Sequence, residues 1–334
     1  MNVSLHDLGW SDFFSREAQA FVAAAAPDLQ AELEVGRVVG VGRASYQVWT
    51  ARGPEEALLA GALRQDAGGL PSPVIGDWLV VQRLPAGGAL RVLHGLPRRT
   101  TFARAVRGGA AEQVIAANVD LVFIVTAPGQ DLDLPRLGRY VAAVQVSGAR
   151  PVVVLNKADL VQDAAPLTRQ IQTLAPDLAV HEVAAAEARG LEPVRAYFRP
   201  GVTVALIGSS GVGKSTLTNA LLGREVAGTG GVRPTDGEGR HTTTARTLYP
   251  VPGGGLLIDN PGLRDIAVWD AGARPVGFEV IEDLAAGCRF RKCTHRTEPG
   301  CAVRQAVQRG QLGAEVLAAY QQAQELPARK ARKR

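Results

Sequence analysis

Residues 208–216 read Gly-Ser-Ser-Gly-Val-Gly-Lys-Ser-Thr, and this stretch is the strongest indication of the fold in the sequence. It has the spacing GxxxxGK[ST], and it lies between an apolar, β-branched run at 202–207 and a run with helical spacing at 217–222. A strand, a Gly-rich turn and a helix in this order form a cradle of backbone N–H groups around a phosphate, and the helix dipole adds to it. The pattern therefore predicts a nucleotide-binding site, with a chance Gly-rich turn as the alternative.

The side chains of this P-loop pattern have separate predicted roles. Lys214 is placed to reach the β- and γ-phosphates, so we expect it to act in catalysis as well as in binding. The Ser215 hydroxyl is placed to bind Mg²⁺. The predicted nucleotide contacts are Gly208, Ser209, Ser210, Gly211, Val212, Gly213, Lys214, Ser215 and Thr216.

A second motif specifies the base. Asn156-Lys157-Ala158-Asp159 follows an apolar run, 152–155, at a strand end where ligand sites of α/β sheets form. Asp159 can accept hydrogen bonds from the N1–H and the exocyclic amine of guanine, while Asn156 addresses the other edge of the ring. Adenine lacks this donor pair, and a site built in this way can discriminate by roughly 10⁴ or more. Beside a P-loop, this NKxD motif predicts GTP rather than ATP, with Lys157 as a third base-site residue.

A third motif, Asp259-Asn260-Pro261-Gly262, follows the apolar run 256–258. We expect Asp259 to hold Mg²⁺, directly or through water, and the Gly262 N–H to contact the γ-phosphate. The tetrapeptide alone fits an ordinary turn equally well, so its interpretation depends on the other two motifs.

The next residue, Leu263, stands where Ras-type GTPases carry the glutamine that orients the attacking water. Because leucine cannot hydrogen-bond water, we expect His241, in the Gly/Thr-rich stretch 228–244, to position or partly deprotonate that water. Thr243 is the predicted second hydroxyl ligand of Mg²⁺, with its two threonine neighbours as alternatives. An exposed loop histidine without a role is the competing interpretation.

The order of the motifs is unusual, because in Ras-like chains the guanine motif follows the P-loop and here it precedes it. Apolar runs alternate with amphipathic segments, which indicates a parallel sheet covered by helices on both faces. The sequence thus predicts a circularly permuted P-loop domain. Its predicted strands are 119–125, 152–155, 202–207 and 256–258, and its predicted helices are 134–146, 167–174 and the one after the P-loop.

The three cysteines of the chain cluster near its end as Cys288-x4-Cys293-x-His295-x5-Cys301. Three thiolates and one imidazole at this spacing are typical of a closed structural zinc site. We therefore expect one Zn²⁺ in a small helical module, with three metal-free thiols as the alternative. Basic residues interleaved with the ligands suit an RNA backbone, and a helix is predicted at 311–324.

The N-terminal part of the chain has a different pattern of apolar and turn-forming residues. Five short strand-like runs, separated by turn residues, predict a small barrel of the OB type. Tyr46 and Trp49 could stack on bases or pack in the core, and these residues leave RNA binding by the barrel open. A short helix ending near Pro27 is expected before the barrel. The runs are 35–42, 46–51, 57–64, 77–84 and 89–96.

Charge is distributed unevenly along the chain. The net charge is +5, but residues 1–33 carry −4 and residues 285–334 carry +8. A basic end with the tail 329–334 suggests a polyanionic partner, of which RNA is the commonest, although a solvated tail is the alternative. We find no apolar run of the ~20 residues that a membrane span needs and no secretory pattern, so we expect a cytoplasmic protein without a membrane partner.

These motifs together resemble the ribosome small-subunit-dependent GTPase A family, RsgA (also called YjeQ), over about residues 35–325. The resemblance rests on PRRT at 97–100, QVIAANVDLVFIV at 113–125, SGARPVVVLNKADL at 147–160, GSSGVGKSTLTNALL, GRHTTT, DNPG and CRFRKCTHRTEPGCAV at 288–303. It implies an OB barrel, a permuted GTPase and a zinc domain. It also implies GTP hydrolysis stimulated by the small ribosomal subunit, a late role in maturing that subunit, a catalytic His241, and a barrel that contacts rRNA.

Two departures from the family pattern stand out. Asn260 replaces the usual Thr or Ser of the DxPG motif, and Val183-Ala184-Ala185-Ala186 lacks the serine of the usual guanine-side loop. The backbone N–H of Ala185 is then the group expected to reach the guanine oxygen.

The sequence therefore predicts an α/β, multidomain GTP hydrolase that binds GTP/GDP with Mg²⁺ and acts as a monomer. A GTP-dependent RNA-binding switch acting on another RNA or on the large subunit, and a nucleotide-binding scaffold with negligible hydrolysis, remain as alternatives. The expected regions are an N-terminal extension (1–33), an OB barrel (34–97), a basic linker (98–113), the permuted GTPase (114–272) and the zinc-binding domain with its tail (273–334).

Overall fold

The computed structural model describes most of the chain. The described residues are 3–25, 32–42, 45–59, 72–84, 88–105, 112–175, 177–226, 246–259, 281, 284–290, 293–314, 317–318 and 320–321. Among them, no helix combines the length and the apolar character that crossing a bilayer requires.

The N-terminal half contains a closed barrel of five strands. The strands pair in the cyclic order β1-β2-β3-β5-β4, and the pairing of β4 with β1 closes the ring. The predicted OB-type barrel is confirmed, although its third strand begins four residues before the predicted run 57–64. The bounds are β1 Leu33–Val41, β2 Tyr46–Thr50, β3 Gly53–Leu59, β4 Trp78–Gln82 and β5 Leu90–Gly95.

A helix, α1 (Asp12–Ala24), packs on this barrel through aromatic side chains. The Trp78 ring lies edge-on to Trp10, with ring centroids 4.8 Å apart, and 5.7 Å from the Phe14 ring. Phe21 stacks on His94 of β5, with centroids 4.5 Å apart. Aromatic pairs of this kind add to the stabilisation from buried area. The N-terminal segment is thus part of the folded barrel unit.

The stretch expected to be a basic connector contains a hairpin. Strands β6 (Thr101–Ala105) and β7 (Glu112–Ala117) pair antiparallel. Just before β6, the Arg98 guanidinium donates to both carboxylate oxygens of Asp77 in the barrel, at 2.8 and 2.7 Å. The PRRT stretch therefore links the barrel to the next region of the chain.

That region is an α/β sheet in the order β10-β9-β8-β11-β13-β12. All neighbours are parallel except β12 and β13, and β12 also pairs with β1 of the barrel. The predicted parallel sheet with a permuted strand order is confirmed. The strands are β8 Leu121–Thr126, β9 Arg150–Leu155, β10 Ala179–Glu182, β11 Thr203–Ile207, β12 Arg246–Pro250 and β13 Leu256–Asp259.

Helices cover both faces of this sheet. The helices are α2 Leu134–Val146, α3 Ala165–Gln172, α4 Glu192–Arg195 and α5 Lys214–Leu222. Alternate residues of β8 face opposite sides: Ile124 joins the core that contains α2, and Phe123 joins the core that contains α5. The core on the α2 side also contains Trp78 and Ile75 from the barrel region, so the barrel and one face of the sheet share a single apolar interior.

The C-terminal module is smaller. It contains α6 (Ala302–Gln308), and residues 314, 317–318 and 320–321 are also helical, within the predicted helix 311–324. Its core joins Ile281, Val303 and Tyr320 to Ala142 of α2, so the module packs against the α/β region.

Candidate functional site

The P-loop begins where β11 ends, and two of its glycines allow other elements to approach closely. Gly208 has φ of 142°, and a Cβ there would lie 2.2 Å from the carbonyl oxygen of Val125 on β8. Gly213 has φ of 90°, and its Cβ would lie 2.3 Å from Nδ2 of Asn156. A larger residue at either position would displace the loop, since both conformations also favour glycine.

Lys214 begins α5 and folds over this loop. Its Nζ donates to the carbonyl oxygen of Gly208 at 2.7 Å and also to that of Ser209. The ammonium group is therefore held inside the turn, where it can meet a phosphate together with the N–H groups of the helix N-terminus. Ser215 follows in the first turn of α5 and is half-buried.

Asn156 joins two loops of the site. Its amide is buried, and Nδ2 donates to the carbonyl oxygen of Val212 in the P-loop at 2.9 Å. Its Oδ1 accepts the N–H of Ala185 at 3.1 Å. The Asn156 amide and the Ala185 N–H, both predicted to contact guanine, form these hydrogen bonds within the protein. Asn156 thus fixes the distance between the phosphate side and the base side of the site.

The other residues of the NKxD motif adopt a suitable local geometry. Lys157 has a left-handed backbone conformation, with φ of 57°, and precedes a short 3-10 turn at Ala158–Leu160. The turn leaves Asp159 exposed, so its carboxylate is open to a ligand. The two motifs are close in space because Gly213 lies against both Asn156 and the Lys157 side chain.

Asp259 ends β13, which pairs with β11 on the side away from β8. The P-loop, the NKxD motif and Asp259 therefore all lie at the carboxyl ends of parallel strands, where ligand sites of α/β sheets form. His241, Thr243, Asn260, Gly262 and Leu263 lie outside the described residues.

Cys288, Cys293, His295 and Cys301 converge in the C-terminal module, with all four potential ligand atoms within 4.8 Å of one another. The Cys288 Sγ lies 3.6 Å from the His295 Nδ1 and 3.9 Å from the Cys301 Sγ. With Zn–S of about 2.3 Å and Zn–N of about 2.0 Å, tetrahedral ligands are separated by about 3.5–3.8 Å. The observed separations therefore fit a zinc ion bound by these four residues.

The backbone around this cluster explains why the ligands converge. His295 has φ of 59°, and its carbonyl oxygen accepts a hydrogen bond from Gln321 Nε2 at 2.6 Å. Cys301 caps α6, with Sγ accepting the N–H of Arg304. Burial lowers the pKa of His295, which favours the neutral imidazole that metals bind. Burial is also the main reason that the pKa of Cys293 is raised to about 11, so metal binding must displace a proton there.

One exposed aromatic side chain beside a cation was not predicted from the sequence. Phe290 stands in the sequence between the potential metal ligands Cys288 and Cys293 and is 45% exposed, and the Arg289 guanidinium lies 5.8 Å from the centroid of its ring. The backbone holds this pair in place, because Arg289 N donates to Gly300 O and Cys293 N donates to Phe290 O, both at 3.2 Å. The signal in the sequence was a single aromatic residue within a basic, metal-binding segment.

Comparisons with known proteins agree with this geometry. The family model described as RsgA GTPase matches residues 95–269, more than half of the chain. A "Small ribosomal subunit biogenesis GTPase RsgA" from Opitutus terrae is 41% identical over 310 residues, covering 89% of this chain and 83% of the relative. One of the same name from Methanosarcina acetivorans is 47% identical over 247 residues, covering 73% of this chain and 66% of the relative.

Solved structures show the same fold. YjeQ from Thermotoga maritima matches with a TM-score of 0.58 at 22% identity, covering 89% of this chain and all of that chain. YloQ, described as a circularly permuted GTPase, matches with a TM-score of 0.51 at 21% identity, covering 92% of this chain and all of that one. The P-loop, the base motif and these likenesses lead to one conclusion: the chain is a GTP hydrolase that belongs to the RsgA GTPase family.

Proposed function

We propose that this protein hydrolyses GTP to GDP and phosphate when it binds the small ribosomal subunit, and that it assists late maturation of that subunit. The observation that carries the proposal is the meeting of the P-loop and the guanine motif through Asn156, in a chain that also has a barrel and a metal-binding module. The relatives named above are small-subunit biogenesis GTPases.

The guanine side of the site depends on Asp159. Its carboxylate is exposed, in the middle of a turn that the hydrogen bond from Leu160 N to Lys157 O closes at 3.1 Å, and can accept two hydrogen bonds from guanine. Adenine offers no matching donor pair. Nucleotide selection by roughly 10⁴ is the expected consequence.

The phosphate side depends on Lys214 and on the N-terminus of α5. Their positive charge is preorganised around the turn, which is the arrangement that stabilises charge on a transferring phosphoryl group. Ser215, Asp259 and Thr243 would hold Mg²⁺, which when bound neutralises charge on the β- and γ-phosphate oxygens. Gly262 would contact the γ-phosphate, and His241 would orient the attacking water.

RNA contact is assigned mainly to the C-terminal module. There, Arg289, Phe290 and Arg296 are exposed around the ligand cluster, and cations beside an aromatic ring suit RNA phosphates and unstacked bases. Four side chains that fit one Zn²⁺ would fix this basic surface, since metal would supply much of the module's folding free energy. The metal would act in structure rather than in hydrolysis.

The barrel presents a different electrostatic surface. Arg83 donates to Glu34 and to Glu55, both at 2.8 Å, and its hydrogen bond to Glu55 lowers the pKa of that carboxyl. Arg52 lies 3.3 Å from Glu34. These positive charges are paired within the barrel, so this part of its surface offers shape rather than excess positive charge to rRNA.

The test is steady-state GTP hydrolysis by the protein alone, with purified small subunits and with large subunits. GTPases without a complete catalytic set turn over at about 10⁻⁴ s⁻¹, and partners accelerate them ~10³-fold or more. Stimulation by small subunits only, lost in His241→Ala, is the expected result. Equal, slow turnover in every mixture would contradict the proposal.

A GTP-dependent RNA-binding switch acting on another RNA or on the large subunit is the second candidate. The observation in its favour is that the groups assigned to RNA, Arg289, Phe290 and Arg296, can bind phosphate and stack on any base without sequence preference. Capture of the protein with GTP from a cell extract, scored for small-subunit against large-subunit rRNA, separates the two candidates. Sedimentation of the purified protein tests whether it is a monomer, and fractionation of cells tests whether it is cytoplasmic.

A further inference from the structure

Arg37 is a buried cation at the point where four segments of the chain meet. It lies on β1 of the barrel and is 1% exposed. Its acceptors are three backbone carbonyl oxygens and one hydroxyl from separate segments. Nη1 donates to Leu8 O and, at 2.8 Å, to Thr203 Oγ1; Nη2 donates to Asn118 O at 2.8 Å; and Nε donates to Gly76 O at 3.2 Å.

A guanidinium in this position is costly, because burial removes its hydration. Burial is also the main reason that the pKa of Arg37 is lowered, to about 10, with the nearby Asp77 and Asp120 opposing the shift. The Trp78 ring, 5.8 Å away, covers one side of the cation. An apolar side chain would fill the same space at lower cost, but it could not tie four polar segments together.

The segment that matters most for the reaction is the one that begins at Thr203. Thr203 is the first residue of β11, whose other end leads into the P-loop at Gly208. The Thr203 N–H donates to Asp120 Oδ2 at 2.8 Å, and Thr203 O accepts the Asp120 N–H at 2.9 Å. Thr203 is therefore held between the barrel cation and the start of β8, so the first residue of β11 is connected directly to the barrel.

We propose that Arg37 is a positioning residue that acts on coupling rather than on the intrinsic rate of hydrolysis: by holding Thr203 it links the barrel to the strand that carries the P-loop, so that nucleotide occupancy and contacts made by the barrel influence each other. Only the part of this proposal that concerns the ribosomal subunit rests on the proposed function. The coupling between P-loop and barrel concerns this chain alone.

Amide hydrogen exchange with and without GDP tests the coupling in the full-length protein. A ligand present at 100 times its Kd slows exchange through openings that destroy its site by about 100-fold. If barrel and sheet open together, GDP will slow the exchange of β1 and β4 amides at least tenfold, as well as that of β11. Thr203→Val removes the hydroxyl while keeping the shape, and we expect β11 to stay protected while the barrel response falls below about twofold.

Matched variants distinguish a loss of coupling from a general loss of stability. Thr203→Ser keeps the hydroxyl and should restore the barrel response. Arg83→Met removes an arginine whose ion pairs, to Glu34 and Glu55, lie within the barrel, and it should leave the response to GDP intact. An unchanged barrel response in both Thr203→Val and Arg37→Lys, or no barrel response in the wild type, would overturn the proposal.

The part of the proposal that concerns the ribosomal subunit is tested with the same variants in the hydrolysis assay. Thr203→Val should retain the intrinsic turnover and lose at least tenfold of the stimulation by small subunits, and Thr203→Ser should recover it. Wild-type protein that is not stimulated at all would contradict the proposed function, while the exchange experiment would still decide the role of Arg37.

Discussion

The barrel with its adjoining sheet and the C-terminal module achieve order in different ways. The first unit shares one large apolar interior, in which Trp78, Ile75, Ile124 and Leu137 are almost fully buried. The second has a small core, and three residues in or against it, Cys301 and the half-buried Cys288 and Cys293, are also potential metal ligands. One unit is stabilised by buried area along its whole length, whereas the proposed zinc site would concentrate the stability of the other at one point.

The two units should therefore differ in how much stability a single substitution removes. Each fully buried aliphatic side chain contributes about 1.5–3 kcal/mol, so the barrel and sheet can lose one and remain folded. A structural zinc site in a small domain contributes about 10–16 kcal/mol of apparent binding free energy at pH 7, and its loss unfolds the domain. The nucleotide site stands on the first unit and the basic surface on the second.

The largest effect should follow removal of a metal ligand. In Cys301→Ala we expect the module to lose protected amides over residues 293–314, because three ligands cannot close the site and the cap of α6 is also lost. GDP affinity should stay within twofold of the wild type. Zinc content by mass spectrometry and amide exchange test the module, and fluorescence titration measures the GDP affinity. Gln305→Ala, on the exposed face of α6, is the matched control, and retained protection in Cys301→Ala would show that metal does not hold the module.

A cavity in the shared interior should have the next largest effect. Ile124→Ala removes a fully buried side chain from β8, and we expect a loss of about 2–5 kcal/mol in the free energy of unfolding. Because barrel and sheet share this core, both should unfold at lower denaturant in one transition. Leu160→Ala, at a side chain 65% exposed, should change stability by less than about 0.5 kcal/mol. Separate transitions for barrel and sheet in Ile124→Ala would refute the shared core.

Asn156→Ala should weaken nucleotide binding as well as the fold. The change leaves the Val212 carbonyl and the Ala185 N–H without their partner, at a cost of about 1–3 kcal/mol for buried polar groups. We expect GDP affinity to fall about tenfold by fluorescence titration. Gln145→Ala, on the exposed side of α2, should have no effect. Wild-type affinity in Asn156→Ala would mean that the two loops hold their positions without it.

The smallest expected effect is a pH dependence of the first unit. Burial lowers the pKa of His94, which stacks on Phe21, and that of His181, whose Nε2 lies 2.9 Å from the Tyr197 hydroxyl. The unfolded chain then binds protons at these groups before the folded one does, so stability falls as pH falls below about 6.5. Denaturant unfolding from pH 8 to 5 measures the slope. The double variant His94→Gln/His181→Gln should flatten it, and an unaltered slope would assign it to other groups.

Regular patterns in the sequence predicted the main elements well. Helix α2 was expected at 134–146 and is found there, because its apolar spacing is periodic and Asp133 caps its first turn. The P-loop helix follows from its motif, and the barrel strands follow from short apolar runs between glycines. The strands β10 and β12 were missed, because they are short, with mixed composition, and depend on pairing with distant neighbours.

Tertiary contacts account for the remaining differences. Arg37 stands in the run Val-Gly-Arg-Val-Val, where a charged residue usually faces solvent, and only the meeting of four segments explains its burial. The same holds for Asn156, whose partners are 56 and 29 residues away. The hairpin of β6 and β7 was hidden by the arginines and glycines of its sequence. The four potential zinc ligands, by contrast, are close in sequence, so their spacing alone predicted that they would cluster.

The pairing of β1 with β12 has a consequence for dissecting this protein. Gly40 and Val41 lie opposite Thr247 and Arg246, so the barrel covers the outer edge of the α/β sheet. A fragment that starts after the barrel would expose this edge strand with unpaired N–H and C=O groups, a template for strand addition between molecules. The domain boundary suggested by the sequence therefore does not separate two independent parts of the folded chain. A fragment that lacks the barrel will tend to self-associate.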